Sequence, residues 1–587
     1  MGLRLTAFLS VVFGIVCVST LAEAQTRATA NPLGVTMVRF NKNTAPAQMT
    51  SAITEAGGEI VTDLRKINAV TAIGNDAGFA SRIARNPRVT AAWTDRLSAR
   101  MPRGDAMPVD ASVQMTRTPA LGNPGATSPP DPFHNATSFL GETNPEGILQ
   151  WDDNRMDVPP AWVTTLGDRT VRVAVLDTGV QGSHKELLAN YDNQTSANMI
   201  PCNLLTRQFG PLGEKDCSGE DLEGHGTWVA SRIAGAVNGF GSNGIAPKVQ
   251  IIGYKVLSTT LGGGLTSWIV AGMIDACDHD VDIINMSLGG YDDAANAFDQ
   301  LDYLVWVDAV NYCRAKGTAI FASAGNEHVR VNRVNMAIRG VPLTGAGRVD
   351  TGNEGFASVF PGDPLAPSDL RGLLEVPAGV PGVVMVSATN NAIADAVGVP
   401  AAIRWPPSFT GKRDQLTYYS SYGSRVDVAA PGGARKFNIP RYDGGAGDIL
   451  YGGWGSLGAL DPSGEICTEP ALSSLLTFAC FKVNGAGFGW LQGTSMSSPN
   501  AAGVAALTLA AHPELQGNPN ALQARLENTA RTDTVNFMGP NDPKNKAPSL
   551  DGTPCDTGYC HIKFNAPISF DDAYGAGIVR ASAAVAP

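Results

Sequence analysis

Short apolar runs, each followed by a stretch of helical length, dominate the chain from about Gln150 onward. "RTVRVAVLD", "VQIIGYKVL", "VDIINMSL", "TAIFASAG" and "GVVMVSAT" are nearly unbroken and rich in Val and Ile. Between them lie "HGTWVASRIAGAV", "LTSWIVAGMIDACDHD" and "FDQLDYLVWVDAVNYCRAKG", long enough for helices. Strands that are apolar on both faces and alternate with helices predict a mostly parallel sheet with helices on both faces, a doubly wound α/β fold. In such folds ligands gather at the carboxyl ends of the strands. Residues 328 to 375 and 434 to 488 break the alternation with glycine-heavy sequence such as "YDGGAGDILYGGWGSLG". They predict two long, loop-rich surface insertions in a domain of residues 141 to 587.

The first hundred residues follow another pattern. "VTMVRF" alternates like a strand, and "APAQMTSAITEAG" reads as a helix stopped at Gly57-Gly58. "EIVTDLRKINAVTAIG" is strand-like, "DAGFASRIARN" helical and "RVTAAWTDR" extended. This β-α-β-β-α-β order over residues 32 to 98 predicts a small α+β, ferredoxin-like domain with its helices on one antiparallel sheet. Residues 99 to 140 lack periodicity and are rich in Pro, Gly, Ser and Thr, as in a linker open to proteolysis. Residues 1 to 24 combine Arg4, an apolar run and the small-x-small site Ala22-Glu23-Ala24, which reads as a signal peptide and predicts export. No later stretch reaches the ~18 apolar residues that a membrane span needs.

Composition changes this picture little. Of 587 residues, 43% are hydrophobic and 17% charged, which suits a globular chain with a large core. The net charge is −11 with both signs interspersed, so the basic stripe of a nucleic-acid binder is missing. The cysteines matter more in an exported protein. Nine cysteines less Cys17 of the signal leave eight, an even number that points to disulfides with 105 possible connectivities. The favoured pairing joins the sequence-close pairs Cys202–Cys217, Cys467–Cys480 and Cys555–Cys560 and leaves Cys277–Cys313.

The chemistry sits where strands and helices meet. Asp177 follows "VRVAVL" directly, His225 follows a glycine at a helix start, and Ser495 opens the helix-length "MSSPNAAGVAALTLAAH". A hydroxyl is a poor nucleophile near pH 7 unless a base takes its proton, and histidine titrates in the right range. A carboxylate on the other ring nitrogen fixes the tautomer and stabilises the imidazolium. Taken singly, each residue is ordinary: an Asp after a strand is often a cap or turn, and a Ser before a helix an N-cap.

Order and flanks make them specific. Asp, His and Ser in that order, inside "DTGV", "HGT" and "GTSMSSP", resemble the subtilisin-like serine protease family, as do "SHKELL", "GIAPKVQI", "NMSLGG", "SAGNE", "SSYGSRVDVAAPG" and "YGAGIVRASAAV" in the family's sequence over residues 150 to 587. The resemblance implies a secreted serine endopeptidase acting through an acyl-enzyme, with Ser495 as nucleophile, His225 as base and Asp177 behind it. It implies Asn326 as the side-chain donor of an oxyanion hole, beside the Ser495 N–H. Ser287-Leu288-Gly289 and Ser323-Ala324-Gly325 would clasp the backbone of a protein or peptide substrate by strand addition. The same alignment gives a structural calcium site of Glu186 and Asn238 side chains with carbonyls from Ala236, Phe240 and Ser242; catalysis itself needs no cofactor. The small first domain would be an inhibitory pro-domain, making the protein a self-processed zymogen and, once matured, a monomer free of the membrane. Trp228 stands where the family has His, and Asn500-Ala501 where it has His-Val; neither position is catalytic. Two other classes fit parts of the chain. A processing protease or transpeptidase with one dedicated substrate would use the insertions to narrow its cleft. An inactive binding protein would lack a triad or oxyanion residue, and none is lost.

Overall fold

The computed structural model describes residues 33–100, 138–139, 142–143, 150–355, 369–390, 414–417, 419–434, 455–468, 480–533 and 568–587. The proposed signal peptide, nearly all of the linker and the Cys555–Cys560 pair lie outside the described residues.

The first unit has the expected order: β1 (Thr36–Phe40), α1 (Pro46–Glu55), β2 (Gly58–Leu64), β3 (Ala69–Gly74), α2 (Phe79–Ile83) and β4 (Val89–Thr94). Its sheet is antiparallel in the order β2-β3-β1-β4. Both faces are covered. Val38, Phe40 and Val70 pack with Met49, Ile53 and Phe79 of the two helices. Met37, Leu64, Ala69 and Trp93 join the core of the larger unit instead. So small a domain closes a core of its own only on its helical side, and it leans on the larger unit for the other. A short strand, β5 (Leu97–Arg100), continues from it.

The larger unit is built on seven parallel strands. Those used below are β6 (Arg172–Asp177), β7 (Ala197–Asn198), β8 (Gln250–Lys255), β10 (Ile283–Met286), β12 (Ala319–Ser323), β16 (Val384–Thr389) and β17 (Val428–Pro431), in the spatial order β17-β16-β12-β10-β6-β8-β7. Residues alternate between its two faces: Ala174 and Leu176 enter the core beneath α4 (Thr266–Asp278) and α5 (Ala297–Ala315). Val173 and Val175 enter the one beneath α3 (His225–Ala234) and α6 (Thr494–Ala511). That is why these strands read as unbroken apolar runs. Helix α6 lies in the middle of its layer, buried from Thr494 to Leu509, and accordingly is apolar all round.

The loop-rich reading of the two insertions needs correction. Residues 331 to 349 form a long hairpin, β13 (Val331–Ile338) and β14 (Val341–Val349), in an antiparallel sheet ordered β11-β15-β14-β13 with β11 (Gly290–Asp292) and β15 (Leu374–Val376). From the second insertion onward, β18 (Ser456–Leu460), β19 (Phe481–Val483) and β20 (Ala486–Leu491) form a three-stranded antiparallel sheet. This sheet is not a surface feature: Leu457, Leu460, Phe488, Trp490 and Leu491 are fully buried. Its glycines misled because they are packing sites. A Cβ on Gly458 would lie 2.7 Å from Trp228 Nε1, so the strand must be glycine where the large ring lies against it.

Three disulfides match the expected pairing: Cys202–Cys217, Cys277–Cys313 and Cys467–Cys480, with Cα separations of 4.8, 5.3 and 4.8 Å. Among the described residues no helix is long and apolar enough to cross a membrane. Cys277–Cys313 ties α4 to α5 inside the core and closes 36 residues of chain. Replacing both cysteines by alanine should cost about 3–4 kcal/mol by the loop-entropy relation. Urea unfolding of the variant and the parent checks this; an unshifted midpoint would mean that the bond adds nothing to the packing around it.

Candidate active site

Asp177 is the last residue of β6, and its fully buried carboxylate needs donors. Oδ1 receives the Thr178 N–H at 2.8 Å and lies 2.7 Å from His225 Nδ1. His225 is 1% exposed and opens α3. With the carboxylate as acceptor, Nδ1 carries the proton and Nε2 is the basic nitrogen. The helix start is fixed by a second carboxylate, one the sequence reading missed. Asp221 accepts from the N–H groups of Gly224 and Thr227 at 2.8 and 2.7 Å and from Thr178 Oγ1 at 2.7 Å. Thr178 Oγ1 in turn accepts the Gly226 N–H at 2.9 Å. The approach is so close that a Cβ on Gly226 would lie 2.0 Å from the Gly179 carbonyl. Glu223, also missed, holds the His225 N–H at 2.7 Å, and burial pushes its carboxyl up to about 8.

Ser495 is the second residue of α6 and is 3% exposed. Pro499, four residues on, has no N–H, so the helix leaves the Ser495 carbonyl without its usual partner. Ser287 Oγ takes that place at 2.8 Å, and Ser495 Oγ donates back to the Ser287 carbonyl at 3.3 Å. One proline thus ties the helix bearing Ser495 to the end of β10. Asn326 stands just past β12 with its amide oxygen accepting from Thr494 N and Oγ1 at 2.9 and 2.8 Å. This commits the oxygen and leaves the NH2 as the end that can donate elsewhere.

The two helices share a buried anchor. Arg232 of α3, fully buried, meets Asp152 and Asp153 at 3.1 and 2.7 Å and Asn500 Oδ1 of α6 at 3.2 Å. Asn500 also donates to the Pro431 carbonyl at 2.8 Å. Trp228 donates to the Gly489 carbonyl at 3.1 Å. Both departures from the family pattern therefore serve packing around the site.

Ser287-Leu288-Gly289 follows β10, and Ser323-Ala324-Gly325 starts at the last residue of β12, both at the carboxyl edge of the sheet. Across β5 (Leu97–Arg100) from the first lies β9 (Gly263–Leu265), which the sequence reading passed over although Gly262-Gly263-Gly264 signalled a bare backbone. Strand β5 pairs antiparallel with β9, Arg100 opposite Gly263 and Leu97 opposite Leu265. On its other side the Gly290 backbone comes so near that a Cβ there would lie 1.9 Å from the Ser98 carbonyl. The cleft therefore holds a strand of the chain itself. Asp95 supports the entry, its buried carboxylate accepting from Ser267 Oγ at 2.6 Å and from Ser267 N at 3.3 Å in the first turn of α4; burial pushes it up to about 7.

The residues aligned with a calcium site also come together. Glu186, fully buried, accepts from Ser242 N at 3.0 Å and Asn238 Nδ2 at 3.4 Å, and its carbonyl accepts from Ala236 N at 2.7 Å. Asn238 Oδ1 accepts the Phe240 N–H at 2.9 Å. Among the described residues no group of three or more His, Cys, Asp or Glu side chains is arranged to hold a metal.

The chain is similar to known proteins over much of its length. Subtilisin NAT of Bacillus subtilis subsp. natto is 26% identical over 360 residues, 61% of this chain and 60% of its own length. The subtilisin of Bacillus pumilus is also 26% identical over 360 residues, here 83% of its length. The chain thus spans about 60% of the first relative and more of the second. Among solved structures, the epidermin leader peptide processing serine protease of Staphylococcus aureus superposes with a TM-score of 0.57 at 17% identity, covering 94% of this chain and 97% of the other, a likeness of fold. The model of the subtilase family matches residues 168–577, and this chain belongs to that family.

Proposed function

We propose that the protein is a secreted serine endopeptidase that hydrolyses peptide bonds of protein or peptide substrates and is made as a zymogen. The observation that carries the reading is the buried Asp177–His225 pair at 2.7 Å, set at the carboxyl edge of the sheet where Ser495 also lies. In this reading His225 Nε2 takes the proton of Ser495 Oγ as the oxygen attacks the substrate carbonyl carbon. Asp177 keeps the proton on Nδ1 and stabilises the imidazolium. The carbonyl oxygen, now negative, is met by Asn326 Nδ2 and the Ser495 N–H. Collapse of the tetrahedral intermediate expels the amine, which takes the proton from His225 and leaves an acyl-enzyme on Ser495. Water, activated by the same histidine, releases the acid. No step requires a metal.

The first unit acts as the inhibitory pro-domain, a role supported by the strand it lays between β9 and Gly290. Segments that pair by backbone alone accept an extended substrate chain in the same way. Cleavage in the linker that follows β5 matures the enzyme. The signal-like first 24 residues and the three disulfides support export.

Calcium is the structural ion that the Glu186 loop would take. A carboxylate, a carboxamide oxygen and backbone carbonyls would make an all-oxygen donor set, as calcium requires, once the Ser242 N–H and Asn238 Nδ2 that Glu186 now accepts have turned away. Glu186 and Asn238 would supply side chains, and Ala236, Phe240 and Ser242 carbonyls.

Asn326→Leu keeps bulk and removes the donor, so kcat should fall roughly 10²–10³-fold with KM nearly constant, the loss known for such a donor in subtilisin. Steady-state kinetics on a peptide substrate measures it, and near-normal kcat would move the oxyanion donor elsewhere. A strong chelator should lower the thermal midpoint, because an ion bound only by the folded state stabilises it by mass action, while brief assays in the cold keep their activity. An unchanged midpoint would remove calcium and leave the rest standing.

A further inference from the structure

Arg96 lies one residue before the strand that fills the cleft, and its guanidinium enters a pocket of the larger unit walled by three carboxylates. Its Nη1 contacts Asp299 and lies 3.7 Å from Asp292 Oδ1, and Nε is 3.8 Å from Asp302 Oδ2. Asp292 and Asp302 are 1% and 0% exposed. Among the described residues, the ion pairs of all three run to Arg96. Asp302 has further donors, Trp93 Nε1 at 2.8 Å and Thr266 Oγ1 at 3.4 Å, and Asp299 accepts the Asp293 N–H at 2.9 Å. Asp292 has neither: both its oxygens are buried without a hydrogen bond, Oδ1 lying 3.7 Å from Arg96 Nη1. Burial drives its carboxyl well above the usual range, and drives Asp302 up to about 6.

A buried carboxylate without a donor is costly unless a cation compensates it. Here the cation comes from the first unit, which also reaches the larger one through Arg39–Asp308 and Lys66–Asp278. Once that unit leaves, the larger one retains three clustered carboxylates at the upstream end of the cleft. A substrate strand paired to β9 runs along the same track as β5, because that pairing is made by backbone. The residue ahead of it arrives where Arg96 sits.

Resting on the endopeptidase reading, we infer that Asp292, Asp299 and Asp302 form a guanidinium-binding subsite that selects substrates with arginine upstream of the scissile bond, and that the pro-domain fills it with Arg96. A planar fork of donors suits three converging carboxylates better than a single ammonium does, so arginine should surpass lysine.

The test digests a mixed peptide library with matured parent protein and Asp299→Asn, and reads the products by mass spectrometry. In the parent, arginine should be enriched about tenfold at one fixed position several residues before the cut, the size of a charge-assisted hydrogen bond. Added salt should reduce the enrichment. Asp299→Asn keeps the bond to Asp293 and should flatten that position, raising KM for arginine peptides toward that of their glutamine counterparts. In Arg96→Gln, the cleaved first unit should inhibit less tightly. A library cut without upstream preference, or with the same preference in Asp299→Asn, would overturn the subsite while leaving the endopeptidase. A library left uncut would overturn the endopeptidase reading and this inference with it.

Discussion

The carboxylate of Asp177 has been taken fully out of water at the end of a central strand, and the surrounding structure supplies its donors. An unpaired carboxylate there would be prohibitively costly. The two donors come from the next residue and from His225, so the imidazole can be placed only if the start of α3 is placed. That is the work of Asp221 and Thr178, which bind four backbone or hydroxyl groups around the β6–α3 junction. A glycine at 226 permits the approach. The geometry of the pair therefore depends on a second layer of polar groups that touches no substrate.

The two helices are held in the same way. Arg232, Asp152, Asp153 and Asn500 form a buried cluster that joins α3 to α6 and both to the segment preceding β6. A buried ion pair is a weak source of net stability, yet breaking one leaves an uncompensated charge. Such a cluster specifies one relative position of the helices rather than adding to their stability. Pro499 acts similarly, by freeing the Ser495 carbonyl to be held by Ser287.

Much of this was legible in the sequence. The parallel strands announced themselves because both faces are buried, and the βαββαβ order of the first unit because its helices and strands keep their own periods. Asp177, His225 and Ser495 were legible from their flanks. What escaped was set by tertiary contact. Hairpin β13–β14 carries Arg333, Asn335, Pro342, Gly345 and Gly347, which read as loop. Strand β18 carries Gly458 because Trp228 occupies the space of a side chain. Asp221 and Glu223 went unnoticed, since nothing local tells that "DLEGHG" folds back onto "DTG". The three aspartates around Arg96 are about two hundred residues from it in sequence, and only the docked strand brings them together.

The central claim is that Ser495 is a nucleophile activated by His225. A fluorophosphonate probe tests it most directly, because the serine oxygen attacks phosphorus and leaves a covalent adduct that peptide mapping can locate. The account predicts a single adduct on Ser495 in the matured protein, and strongly slowed labelling in His225→Ala. An adduct on another residue, or labelling of Ser495 undiminished in His225→Ala, would contradict it.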